Sequence, residues 1–202
     1  MTSTHCETKT SIEFRIPLLF REFLKTRGVV GEEALQHFLF PRLTDLQKPG
    51  SMKNLTEAVN QVVEYMNAAK PIIIWGDYDV DGTCGTALLV NFFKECGVKV
   101  IWHIPNRLTH GYGLNVDWFA QNENFFHKKD FLVITVDCGI SNGAEIAAIQ
   151  SLGGTVIVTD HHSLPQKGLP QCLFLNPSHP TCGFHTEQLA GVGVAFYLAA
   201  GI

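Results

Sequence analysis

From Pro71 onward, short apolar runs rich in β-branched residues alternate with segments of helical period, and this alternation constrains the fold more than any other feature of the chain. The runs are Ile72 to Trp75, Val98 to His103, Phe131 to Val136, Thr155 to Thr159 and Leu173 to Leu175. Helical stretches lie between and after them at about Thr83 to Glu95, Asn115 to Asn122, Asn142 to Ser151 and Glu187 to Ala199. Near-continuous apolar strands need cover on both faces, and a helix between successive strands makes parallel pairing the natural connection. The expectation is an α/β fold built on a doubly wound, mainly parallel sheet. A small helical segment precedes it. Leu18 to Phe40 is apolar-periodic, is interrupted at Arg27-Gly28 and Gly31, and closes at Pro41, which predicts two short helices. After a break at Gly50-Ser51, the spacing of Leu55, Val59, Val62, Val63 and Met66 predicts an amphipathic helix ending before Pro71. The expected division is residues 1–50 as the helical segment and 51–202 as the α/β domain.

In sheets of this kind, ligands sit at the carboxyl ends of the strands. Three of those ends carry the chain's most chemically loaded residues. Asp77, Asp79 and Asp81 alternate just after the first run. Three like charges so close repel unless a cation neutralises them. Asp137 leaves the third run ahead of Cys138-Gly139, where a glycine turn permits close approach. Asn142 with Glu145 offers the next helix a cap of its own, which leaves Asp137 for metal work. Asp160-His161-His162 follows the fourth run. Mixed nitrogen and oxygen donors there favour a transition metal such as Mn²⁺ over an all-oxygen Ca²⁺ site.

Alternatives fail on spacing. Asp-x-Asp-x-Asp-Gly also opens an EF-hand loop, but the twelfth position, which needs a bidentate Glu, is Leu88 in an apolar helical run. Cys172, His179, Cys182 and His185 cluster in a loop-rich stretch without any common zinc spacing. The first strand–helix turn lacks the Gly-x-Gly-x-x-Gly of nicotinamide folds.

Composition narrows the setting. With 15 basic and 19 acidic residues, the formal net charge of −4 gives no bulk attraction for nucleic acid, so any such ligand must be held locally by a groove or by metals. Six cysteines without a Cys-x-x-Cys suit a reducing compartment, and the polar amino terminus lacks the apolar core of a signal peptide. The longest apolar run, Leu189 to Ile202, is shorter than the roughly 18–20 residues of a membrane span. The expectation is a cytoplasmic protein with no membrane association.

Taken in order, Gly76-Asp-Tyr-Asp-Val-Asp-Gly82, Ile104-Pro-Asn-Arg107 with Gly111-Tyr-Gly-Leu114, Val136-Asp-Cys-Gly139, Val158-Thr-Asp-His-His162, Asn176-Pro177 and Leu189-Ala-Gly-Val-Gly-Val194 resemble the DHH phosphoesterase superfamily, and within it the RecJ-like single-stranded-DNA exonucleases. The resemblance is strongest from Pro71 to Phe196. It implies metal-dependent phosphodiester hydrolysis, 5′-to-3′ on single-stranded DNA, in DNA repair and recombination. The resemblance implies two Mn²⁺ or Mg²⁺ ions, with Asp79 and Asp81 as ligands to different ions, Asp137 bridging them, His161 as a further ligand and Asp77 as another, although Trp75 stands where related phosphatases place a histidine. His162 is expected at the phosphate, Asp160 behind His161, and Arg107 on a phosphate. Single-stranded DNA is the implied partner, with a single-strand-binding protein or a helicase as further candidates. The resemblance also implies a fourth acidic motif after the Leu189–Val194 segment, which the chain ends before reaching. The expected outcome is an incomplete metal site, weak Mn²⁺ binding and little exonuclease activity in the isolated chain. Two other readings stand beside this one: a phosphoesterase of short oligonucleotides or cyclic dinucleotides, and a noncatalytic interaction module of the same fold.

Overall fold

The computed structural model describes residues 16–126, 130–184 and 189–202. The chain divides into two compact units, the first ending at Leu46 and the second running from Gln47 to Ile202. In the first unit, helix α1 (Leu18–Thr26) and helix α2 (Glu32–Leu39) are followed by a single 3₁₀ turn at Leu43–Asp45. Leu24 and Leu35 are its buried residues, and Arg21 pairs with Glu32 at 3.1 Å.

The second unit opens with a 3₁₀ turn at Pro49–Ser51, followed by helix α3 (Leu55–Asn67) and strand β1 (Ile72–Gly76), then helix α4 (Val80–Glu95) and strand β2 (Ile101–His103). Three short helices follow, α5 (Arg107–His110), α6 (Val116–Gln121) and α7 (Glu123–Phe126), before strand β3 (Phe131–Val136). Helix α8 (Gly143–Ser151), strand β4 (Gly154–Thr159), strand β5 (Leu173–Leu175) and helix α9 (Gly191–Gly201) complete it. All four strand pairings are parallel, in the order β2-β1-β3-β4-β5.

Successive side chains of a strand point to opposite faces, and the two faces build two cores. Ile72, Ile74, Leu132, Ile134, Val136 and Ile157 pack with α3, α4 and α9. Ile73, Trp75, Val133, Val156 and Val158 pack with Phe119 of α6, Phe126 of α7 and Ile146 and Ile149 of α8. The expected doubly wound architecture is therefore present, with every pairing parallel.

This order positions the site. The chain leaves β1 toward β2 on one side and later extends from β3 toward β4 and β5 on the other, so the connections diverge between β1 and β3. A crevice opens at the carboxyl ends of two such strands. The ladder runs one residue past each strand: Asp77 N donates to Val136 O at 3.1 Å, Asp137 N to Thr159 O at 2.9 Å and Asp160 N to Leu175 O at 3.0 Å. Three acidic residues are thereby set side by side on one rim.

Several boundaries differ from expectation for identifiable reasons. Helix α4 starts at Val80 because Asp79 caps it, its carboxylate accepting from Gly82 N at 2.9 Å. Strand β2 starts at Ile101 because Val98 N is bonded to Phe93 O at 2.8 Å, closing the end of α4 over Gly97 at φ +74°. Asn142 makes no side-chain cap to α8, so the capping expected from Asn142 and Glu145 is absent. The expected helix start at Glu187 lies outside the described residues, and α9 is described from Gly191.

Candidate metal centre

Asp77 is buried at the tip of β1, and its Oδ1 accepts from Tyr78 N at 2.7 Å. The first turn of α4 lies directly on it, since a Cβ on Gly82 would come within 2.6 Å of Asp77 O. That approach requires glycine and brings Asp79 close to Asp77. Burial, opposed by the Tyr78 amide and reinforced by Asp79, raises the Asp77 carboxyl above the usual range.

Asp137 is the centre of the arrangement. It is 1% exposed and adopts φ +61°, a left-handed conformation that aspartate tolerates better than most residues. Its Oδ1 has no hydrogen-bond partner. His161 Nε2 lies 3.1 Å from that oxygen, at ion-pair distance but without hydrogen-bond geometry, and His162 Nδ1 lies 3.9 Å away. Burial first, then the charges of Asp81 and Asp79, push its carboxyl up to about 8.

Asp160 is equally buried but fully satisfied. Its Oδ1 accepts from His161 N at 2.7 Å and His162 N at 3.0 Å and pairs with His162 Nδ1 at 2.7 Å, while Oδ2 accepts from Ile140 N at 3.0 Å. Burial pushes this carboxyl up, yet the bonds from the His162 ring and from the His162 and Ile140 amides outweigh it and leave it below the usual range. The same pair raises the His162 imidazole to about 9. Asp160 was expected behind the His161 ring; it holds the ring of His162 and only the backbone of His161. Asn176, from the Asn-Pro motif, donates to His162 O at 2.9 Å and fixes the segment from behind.

Two overlapping donor sets result: Asp77, Asp79 and Asp137, and Asp137, His161 and His162, the candidate atoms of each set lying within 4.8 Å of one another. Asp137 belongs to both. A buried carboxylate that belongs to two such sets and has an unpartnered oxygen fits a pair of divalent cations, and the mixed oxygen and nitrogen donors suit Mn²⁺ or Mg²⁺ chemistry. Asp81 lies outside both sets. Its Oδ2 accepts from Gly191 N at 2.7 Å and its Oδ1 from Val192 N at 2.6 Å, and Oδ2 is 3.6 Å from His161 Nε2.

Arg107 is set apart from the carboxylates. Its guanidinium carbon lies 5.2 Å from the centroid of Tyr78, whose ring meets Tyr112 edge-on at 6.5 Å, and Tyr112 meets His162 edge-on at 6.3 Å. This row of rings was not anticipated, although the Tyr residues sit inside motifs already singled out. Trp75 is turned to the other face of the sheet, where its indole donates to Gly113 O at 3.2 Å and so anchors the loop that carries Tyr112. The EF-hand reading fails, because Leu88 packs against the core from within α4. Of the zinc candidates, His185 lies outside the described residues, and His179 sits 3.4 Å from Lys53 Nζ, which is no setting for a cation. Cys172, His179 and Cys182 form no three-donor group among the described residues.

Comparison with known proteins agrees with the fold. The profile of the DHH family, N-terminal domain, matches residues 71–201. The single-stranded-DNA-specific exonuclease RecJ of Bacillus subtilis (strain 168) is 35% identical over 189 residues, covering 93% of this chain and 23% of that protein. RecJ of Escherichia coli (strain K12) is 38% identical over 186 residues, 91% of this chain and 31% of that protein. Among solved structures, exonuclease RecJ bound to manganese superposes with a TM-score of 0.65 at 37% identity, over 74% of this chain and 37% of that one. RecJ from Thermus thermophilus in complex with Mn²⁺ gives 0.64 at 31% identity, over 92% and 27%. The chain spans about a quarter to a third of the length of these curated relatives. Among the described residues, no helix is long and apolar enough to cross a membrane.

Proposed function

The chain belongs to the DHH family, and we propose that it forms the metal-binding part of a single-stranded-DNA exonuclease of the RecJ type, hydrolysing phosphodiesters with Mn²⁺ or Mg²⁺. The observation that carries this reading is the buried Asp137, which belongs to two donor sets and whose Oδ1 has no hydrogen-bond partner, at the point where the sheet connections diverge. Asp77 and Asp79 would hold one ion, His161 the other, and Asp137 both. A bound pair of such ions supplies an activated water and neutralises charge building on the phosphate.

The protein's own groups do the rest. With Nδ1 tied to Asp160, His162 presents Nε2 to the reacting phosphate or leaving oxygen. Asp160 fixes that ring and, in the metal-free chain, raises its imidazole to about 9. Arg107 over Tyr78 offers a planar donor fork for a backbone phosphate, and the exposed Tyr112 offers a face on which a base can stack. A locally built groove of this kind needs no excess of positive charge, in keeping with the net −4 of the chain.

The test is calorimetric titration with Mn²⁺ alongside digestion of a 5′-labelled single strand, a duplex and a cyclic dinucleotide. Weak Mn²⁺ uptake lost in Asp79→Ala, with what little cleavage the isolated chain performs confined to the single strand, is the expected result. The absence of Mn²⁺ binding in the wild-type chain would sink the reading, and preferential cleavage of the cyclic dinucleotide would redirect it to the small-substrate branch.

A further inference from the structure

Helix α9 begins without a cap of its own. Ala190 occupies its N-cap position with no side-chain bond, and the first turn contains no acidic residue. The open amides at a helix start need acceptors, and the end of the helix macrodipole favours an anion there. Asp81 meets both needs from more than a hundred residues away, one oxygen on Gly191 N at 2.7 Å and the other on Val192 N at 2.6 Å. These are the short distances of charge-assisted bonds.

The same contact seats α9 on the metal centre. A Cβ at Gly191 would stand 2.4 Å from Asp137 Oδ1, so the helix start is pressed against the carboxylate shared by the two donor sets. A Cβ at Gly85 of α4 would stand 3.2 Å from Val192 Cα, so the two helices close on each other beside it. Asp81 therefore lies in the first turn of one helix and caps the start of another, with His161 Nε2 3.6 Å from its Oδ2.

We propose that Asp81 couples cation binding to the docking of α9, a helix whose residues Gly191–Gly201 contribute no side-chain ligand. The coupling rests on the metal reading above. Two amide bonds occupy two of about four lone-pair sites on a carboxylate, so anchoring α9 leaves Asp81 able to reach a cation as well. Groups that orient a ligand from behind typically set metal affinity by about ten- to a hundredfold. By reciprocity, a cation that draws on Asp81 and Asp137 must in turn tighten the start of α9.

The test uses the full 202-residue chain. Val192→Pro removes one of the two donors and turns Asp81 away from it without substituting any candidate ligand, and proline is tolerated in the first turn of a helix. Val192→Ala trims the same side chain but keeps the amide. In Mn²⁺ titrations followed by electron paramagnetic resonance, the proline variant should bind about tenfold more weakly than wild type and the alanine variant like wild type. Hydrogen exchange on wild type, which does not depend on any variant folding, should slow at Gly191 and Val192 when Mn²⁺ replaces chelator. Equal affinities in all three proteins, an alanine variant as weak as the proline one, or exchange indifferent to Mn²⁺ would overturn the coupling alone. A wild-type chain that takes up no Mn²⁺ would overturn the metal reading and the coupling with it.

Discussion

Replacing Asp137 by asparagine should stabilise the metal-free chain. The side chain is 1% exposed, Oδ1 has no hydrogen-bond partner, and the backbone sits at φ +61°, which asparagine tolerates as aspartate does. The substitution thus removes a charge and little else. The folded carboxyl lies at about 8, against roughly 3.9 for an unfolded aspartate. A raised folded value means that the native state holds its proton more tightly than the unfolded chain. Stability of the metal-free wild type should therefore fall as pH rises from about 4 to about 8 and level off above. The full displacement corresponds to a ceiling of roughly 6 kcal/mol. Relaxation and water entry reduce such penalties, and a gain of about 2 kcal/mol at pH 8 would appear as about 4–8 °C in a chain of this length. Thermal unfolding followed by circular dichroism in chelator, at pH 5 and pH 8, measures it. The variant should be the more stable protein at pH 8, with a smaller gap at pH 5. Saturating Mn²⁺ should reverse the order, since only wild type keeps the shared ligand. A variant less stable than wild type in chelator at pH 8, or a gap that ignores pH, would refute the reasoning.

Asp160→Asn should have the opposite effect, weakening the fold by up to about 3–5 kcal/mol because a buried, fully bonded carboxylate loses its charge among four donors. In the same variant, the His162 imidazole should titrate lower, moving from about 9 toward its ordinary 6.5, which nuclear magnetic resonance of the ring protons in chelator reads directly. At the opposite end of the sheet, Asp130 takes bonds from Lys70 Nζ at 2.7 Å and from the Tyr65 hydroxyl, and Lys70 first and Tyr65 second hold its carboxyl below the usual range. A lowered folded value gives stability that is present above about pH 4 and lost as pH falls through it. Asp130 is half exposed, so Asp130→Asn should lower the denaturation free energy by under about 1 kcal/mol at pH 6 and by still less at pH 3.

The sheet was legible because its strands are apolar on both faces: Phe131–Val136 and Leu173–Leu175 are found as read. What misled the reading was local backbone bonding. Val98 is β-branched and looks like the start of a strand, yet its amide is taken by Phe93 O at the end of α4. The alternating carboxylates after β1 look like a loop, yet Asp79 caps a helix whose first turn contains Asp81. For the candidate site, the strand-end rule brought Asp77, Asp79, Asp137, His161 and His162 together. It could not reach the α9 amides, because a backbone donor carries no signature in the sequence. Nor could it tell which histidine Asp160 would hold, since that depends on how the turn after β4 folds back toward Ile140.

These backbone partners also distinguish carboxylates that look equivalent in the sequence. Asp77 is bonded to the Tyr78 amide, Asp79 to Gly82, Asp81 to Gly191 and Val192, and Asp160 to Ile140, His161 and His162. Each carboxylate accepts from at least one backbone amide, a fixed dipole that favours its charged form. Asp137 Oδ1 has no such bond, only imidazole nitrogens at 3.1 and 3.9 Å. The pocket is thus preorganised around one carboxyl whose ionisation nothing in the fold compensates, and a cation placed there relieves that penalty. Neutralising Asp160 should therefore weaken the protein with or without metal, whereas neutralising Asp137 should strengthen it only while metal is absent. The contrast between the two variants isolates the cation's contribution from that of the scaffold.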